Sequence, residues 1–162
     1  MLRSVLVLGV IVALFAVVTL LLRDDPPEPG SDVKYEQVAR EANKSVAYPL
    51  LAPVDLPEGW RANSARVAPG DPPSWHLGML TSDDAYIGIE QAKAAPKSMV
   101  SEYAAGTRPE GSADIGDHTW KVRSDGKQET TFVRQERGIT TLVTGDAPRE
   151  QIERYIDSLE PA

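Results

Sequence analysis

His76 and His118 are the chain's two histidines, and imidazole is the side chain best suited to proton transfer near neutral pH and to metal binding. Brought together with Asp83, Asp84, Asp114 or Asp117, either could run acid–base chemistry or hold an ion. Neither stands in a ligand spacing such as H-x-x-x-H or H-E-x-x-H. Each lies beside or near a tryptophan at the start of a strand pattern, where a sheet-edge histidine is ordinary. Cysteine is absent altogether, which removes thiolate zinc sites, cysteine nucleophiles and disulfides from consideration. No metal or cofactor is expected.

Other chemistries are signalled no better. There is no G-x-S-x-G elbow, and Ser74, two residues before His76, is an alternate strand neighbour and no sign of a triad. Phosphate-binding glycine loops of the forms G-x-x-x-x-G-K-[ST] and G-x-G-x-x-G do not occur. The stretch that draws attention is Asn63-Ser64-Ala65-Arg66. Extended backbone puts Asn63 and Ala65 on one face and Ser64 and Arg66 on the other. Glu90 falls opposite Ile87 and Ile89, with Gln91 beside it, and Arg61 or Arg66 on a neighbouring strand could pair with that carboxylate. The candidate polar patch is therefore Arg61, Asn63, Ser64, Arg66, His76, Glu90 and Gln91. Trp60, Trp75 and Trp120 fall at strand positions where core packing explains them.

The elements that must position these residues follow from periodicity. Tyr35, Val38, Ala39, Ala42 and Val46 recur on one helical face, with Ser31 or Asp32 as cap and Tyr48-Pro49 as terminator. Strand patterns cover Trp60–Val67, Trp75–Thr81 and Ala85–Ala92. A short helix follows over Pro96–Ala105, and 106–116 reads as loop. Three more strands cover His118–Ser124, Lys127–Gln135 and Ile139–Thr144, with hairpin turns at Asp125-Gly126 and Arg137-Gly138. A final helix begins near Asp146 and carries Ile152, Tyr155, Ile156 and Leu159 on one side. The sum is an α+β fold, an antiparallel sheet of about six strands with packed helices.

The front of the chain is unlike the rest. Ser4–Leu22 is a run of nineteen uncharged residues, long enough as a helix to span about 28 Å, close to the hydrocarbon thickness of a bilayer. It ends in Leu20-Leu21-Leu22-Arg23 with no small-x-small cleavage site, so an uncleaved anchor is expected rather than a removed signal peptide. Arg3 on the short side and a two-residue tail predict an N-in orientation with the bulk of the chain outside. The organisation is an anchor over 1–25, a Pro-rich linker over 26–31 and an extracytoplasmic domain over 32–162. The net charge is −7; Arg3 and Arg23 cancel Asp24 and Asp25, so all of it falls on the outer domain. Such a surface is repelled by nucleic-acid phosphates, and nucleic-acid binding is not expected.

Leu51-Ala52-Pro53, the stretch Leu56-Pro57-Glu58-Gly59-Trp60-Arg61-Ala62-Asn63-Ser64-Ala65-Arg66, and Trp75-His76-Leu77-Gly78, with Thr81, Tyr86, Glu90-Gln91 and Trp120, resemble the domain-of-unknown-function 4245 family of actinobacterial membrane-anchored proteins. The likeness runs from the anchor to the final helix. It implies a cell-envelope location in a Gram-positive actinobacterium and carries over no catalytic residue, activity or cofactor. The order of elements is also compatible with the PsbP/Mog1-like fold. The functional expectation is a membrane-tethered module binding an envelope protein partner or a small ligand. The alternative is a cell-envelope hydrolase or metal-dependent enzyme using His76 or His118.

Overall fold

The first amphipathic segment forms α1, Tyr35–Ala42, with Tyr35, Ala39 and Ala42 buried, in a computed structural model that describes residues 33–162. The expected anchor at Ser4–Leu22 and the linker after it lie outside the described residues. Among the described residues no helix is long and apolar enough to cross a membrane. The expected cap and end of α1 are corrected. Lys34 stands at the N-cap without a side-chain bond, and the helix stops before Val46. Past the helix end, Asn43 Oδ1 accepts the Leu50 N–H at 3.0 Å and ties the returning chain to the C-cap.

Beyond that turn come β1 (Leu51–Pro53), β2 (Arg61–Ala68), β3 (Ser74–Leu80) and β4 (Tyr86–Ala92), then α2 (Pro96–Tyr103). The second half supplies β5 (Arg108–Ile115), β6 (His118–Ser124), β7 (Thr130–Glu136), β8 (Ile139–Gly145), α3 (Arg149–Asp157) and β9 (Leu159–Pro161). Strands β2 to β8 form one antiparallel sheet of seven strands in the order β2-β3-β4-β8-β7-β6-β5. The short β1 and β9 pair separately as a two-stranded ribbon. The α+β class is as expected; the strand count is not. β5 had read as loop because it carries Pro109 and Gly111 and has almost no buried position. It is an edge strand, made by its pairing with β6 rather than by its own hydrophobic pattern.

One face of the sheet carries the main core. Trp75, Leu77, Met79, Ile87, Ile89, Phe132 and Val143 meet Ala39 of α1 and Ile152 and Tyr155 of α3 there. On the opposite face α2 packs Met99 against Ala92, Val133 and Leu142. Burial on both faces explains why β3, β4 and β8 read as nearly continuous buried runs rather than as a clean alternation.

The two hairpin expectations divide. Arg137 and Gly138 both have positive φ, 50° and 82°, between the paired Glu136 and Ile139, as a two-residue primed turn requires. At Asp125-Gly126 only the glycine has positive φ, so the expected two-residue turn is replaced by a wider loop. There Asp125 Oδ1 accepts the N–H groups of Lys127, Gln128 and Glu129, and these bonds, that of Lys127 foremost, hold its carboxyl below the ordinary aspartate value.

Gly145 closes β8 against the Tyr86–Ile87 backbone. A Cβ there would run into the Tyr86 carbonyl oxygen and lie 3.1 Å from Ile87 Cα. Gly145→Ala should therefore cost about 1–3 kcal/mol through forced separation of β4 from β8. Urea unfolding measures this, and an unchanged midpoint would show that the approach is not required.

Candidate functional site

Two constellations stand on opposite faces of the sheet. The first is the expected polar patch, assembled differently from the strand reading. The β2–β3 register slips between Ala62, opposite Met79, and Ser64, opposite Gly78. Asn63 is the extra residue of this bulge. The slip turns Asn63 and Ser64 to the same side: a Cβ on Gly78 would collide with both Asn63 Oδ1 and Ser64 Oγ. The expectation that Asn63 shares a face with Ala65 is thus corrected, since Ala65 packs on the main core with Ala62.

On that face His76 of β3 is the direct cross-strand partner of Glu90 of β4. Its Nδ1 bonds Glu90 Oε1, and its Nε2 lies 2.9 Å from Ser64 Oγ. Both His76 and Glu90 are only 8% exposed. Ser64 Oγ also lies 3.1 Å from Asn63 Oδ1, giving an unbroken line Asn63–Ser64–His76–Glu90 across three strands. Ser64 has one hydroxyl proton to place. Given to His76 Nε2, with the imidazole proton on Nδ1, it makes the arrangement of an activated serine and leaves Asn63 Oδ1 without that bond. Given to Asn63 Oδ1, it leaves Ser64 Oγ to accept from the Nε2–H. Tyr86 lies over Gly88, and burial first, then the Glu90 charge, pushes its hydroxyl above the ordinary tyrosine value while Arg66 pulls it down.

Five of the seven patch residues are thus neighbours: Asn63, Ser64, Arg66, His76 and Glu90. The other two are not. Arg61 pairs with Asp84 at the far end of β2. Gln91, adjacent to Glu90 in the strand, points to the opposite face, where its Oε1 accepts the Leu51 N–H at 2.7 Å and its Nε2 donates to Thr141 Oγ1 at 3.2 Å. The expected arginine mate of Glu90 is corrected to His76. His118 shares the face of Trp120 and Val122 and stands apart from His76. Among the described residues no three His, Asp or Glu side chains converge as metal ligands.

The second constellation is a cleft of about 480 Å³ on the main-core side, within the usual size of small-molecule sites. Gln91 and Trp75 create it. Through Leu51 N and Leu51 O, the latter taking the Trp75 Nε1–H at 3.0 Å, they hang the β1/β9 ribbon from the sheet. Leu51 and Leu159 of the ribbon form one wall, Ile139, Thr141 and Arg134 of the sheet the other, and Ile156 of α3 closes an end. His118 and Asp117 stand at its margin. Trp120 forms part of the lining and carries the Arg134 guanidinium over its ring at 5.1 Å. Sequence reasoning missed the cleft because β1 and β9 are too short to announce themselves. The available signal was Arg134 itself, a charge two residues after Phe132 and so on the inward face of β7.

A seven-stranded antiparallel sheet, covered on both faces, with a small two-stranded sheet roofing a cleft on one side and a Ser–His–Glu line on the other, defines an α+β protein. The chain belongs to the family described as protein of unknown function (DUF4245), which matches residues 1–159. Comparison with curated proteins gives no match.

The His76–Glu90 pair has a measurable signature. Glu90→Leu or His76→Leu alone strands a buried polar partner, at about 1–3 kcal/mol each. The double variant should lose less than the sum by about 1 kcal/mol or more. Strictly additive losses in chemical denaturation would mean that the two groups do not interact.

Proposed function

We propose that this protein is a membrane-tethered, extracytoplasmic module of the cell envelope that takes a small ligand into the ribbon-roofed cleft. The cleft itself is the observation that carries the reading. It is built from elements distant in sequence, and its lining sets the apolar side chains of Leu51, Ile139, Ile156 and Leu159 among a similar share of polar and charged ones, so it offers both apolar contact and orienting groups to a ligand. A broad protein-docking face is less well supported: among the described residues Val54 is the one large apolar side chain standing out in solvent, whereas such faces require contiguous apolar patches. The tether rests on the nineteen uncharged residues Ser4–Leu22, and the outward orientation on Arg3 before them.

Two measurements test this. Carbonate-washed membranes should retain the chain, and protease added outside intact cells should digest the folded domain. A freely soluble chain with a new amino terminus near the linker would end the tether. For the cleft, a small-molecule library screened by saturation-transfer NMR against the full chain should yield binders that Ile139→Trp, which fills the cleft, no longer holds. Binders indifferent to that substitution would place the ligand elsewhere.

The Ser64–His76–Glu90 line favours a second reading, a serine hydrolase of the envelope, because nucleophile, base and orienting carboxylate stand in the required order. A fluorophosphonate probe should then label Ser64 in the full chain, and His76→Gln should abolish the labelling. An unlabelled wild-type protein would leave the line as a clamp joining β2, β3 and β4.

A further inference from the structure

The cleft contains a feature that folding alone does not explain. Trp120 Nε1 and Arg134 Nη1 are both buried and have no hydrogen-bond partner among the described residues. Buried donors are nearly always paired, and each unpaired one costs about 1–3 kcal/mol. Two of the four such atoms found among the described residues thus belong to side chains stacked on each other in the lining of one cleft. The arginine has one weak counter-charge: its Nη1 forms an ion pair at 3.6 Å with the half-exposed Glu136, longer than a hydrogen bond. The Arg134 side chain is 15% exposed, and burial lowers its pKa below the ordinary arginine value. The protein therefore holds a buried guanidinium nitrogen and an adjacent indole donor with a hydrogen-bond acceptor for neither, and only a long ion pair to offset the charge.

Resting on the binding reading above, we propose that the cleft takes a small apolar monocarboxylate, its carboxylate accepting from Arg134 and the Trp120 indole N–H, and its hydrocarbon part lying along Leu51, Ile139, Ile156 and Leu159. A planar carboxylate matches the guanidinium fork, and the pair gains from the low dielectric that makes the lone cation costly. The margin limits the charge of the ligand. Asp117, Glu136, Asp157 and Glu160 line the same opening and outnumber its second cation, Arg137, so a head with one negative charge is favoured over a phosphate. Drawing the guanidinium toward the incoming head moves it away from the weakly held Glu136.

The probes are 4-phenylbutyrate and its neutral isostere 4-phenylbutanamide, titrated calorimetrically into the full chain held in phosphatidylcholine nanodiscs. The acid should bind about tenfold or more tightly than the amide, the effect of one charge-assisted hydrogen bond. Arg134→Met should erase that preference while leaving the ligand-free thermal midpoint equal to or above that of the wild type, because a mostly buried charge held only by a long ion pair to the half-exposed Glu136 is removed. Trp120→Phe, which keeps the ring and loses the donor, should weaken the acid selectively, and Arg134→Lys supplies a charged control should the methionine variant fold poorly. Equal binding of acid and amide, unaffected by Arg134→Met, would overturn the carboxylate assignment and leave the cleft as a site for neutral ligands. Failure of both probes alongside cleft-dependent library binders that carry no carboxylate would overturn it likewise. Failure of both probes with no cleft-dependent binder at all would remove the binding reading itself.

Discussion

Alternation along the central strands β3 and β4 is the constraint from which the rest of the architecture follows. Successive side chains must point to opposite faces of the sheet, and both faces here are covered, one by α1, α3 and the ribbon and the other by α2. The residues of these strands between their ends are therefore committed to one interior or another. Leu77 and Ile89 enter the main core, while their neighbours His76 and Glu90 enter the opposite layer. Once buried, the two polar groups have to satisfy each other. Ser64 and Asn63 complete the line, and the bulge in β2 allows both to reach it.

The same alternation sends Gln91 the other way, with a different consequence. Its amide is the fixed point from which the ribbon hangs: it bonds the ribbon backbone on one side and Thr141 on the other, and Trp75 adds a second bond to the same ribbon residue. Two directional bonds hold Leu51 while leaving the space beyond it open, over β7 and β8. Adjacent residues of one strand, Glu90 and Gln91, thus each organise a separate constellation.

Arg134 and Trp120, like Gln151 and Tyr155 of α3, lack a hydrogen-bond partner that most buried polar groups here possess. His76, Glu90, Gln91 and Thr141 all find protein partners, as expected for polar groups withdrawn from water. Arg134 and Trp120 are stacked, and neither Nη1 nor Nε1 has a hydrogen-bond acceptor, Glu136 giving the guanidinium only a long ion pair. Stability alone would favour a methionine or leucine at position 134, so the retained charge is best understood through what enters the cleft.

The amino-acid sequence by itself determined the class of the fold, six of the seven main strands, the three helices and the primed turn at Arg137-Gly138. Periodicity and positive-φ preference are local properties, written in consecutive residues. It also set the nineteen-residue uncharged run and the acidity of the remainder. Tertiary structure alone decided that β5 is a strand, that Leu51–Pro53 finds Leu159–Pro161, and that Asn63 turns to the side of Ser64. Each depends on a partner's register rather than on a pattern of its own. Gln91 and Arg61 left the patch, and His76 replaced arginine as the mate of Glu90, for the same reason: which side chains meet across a sheet is fixed by pairing between distant strands, and spacing along one strand does not carry it.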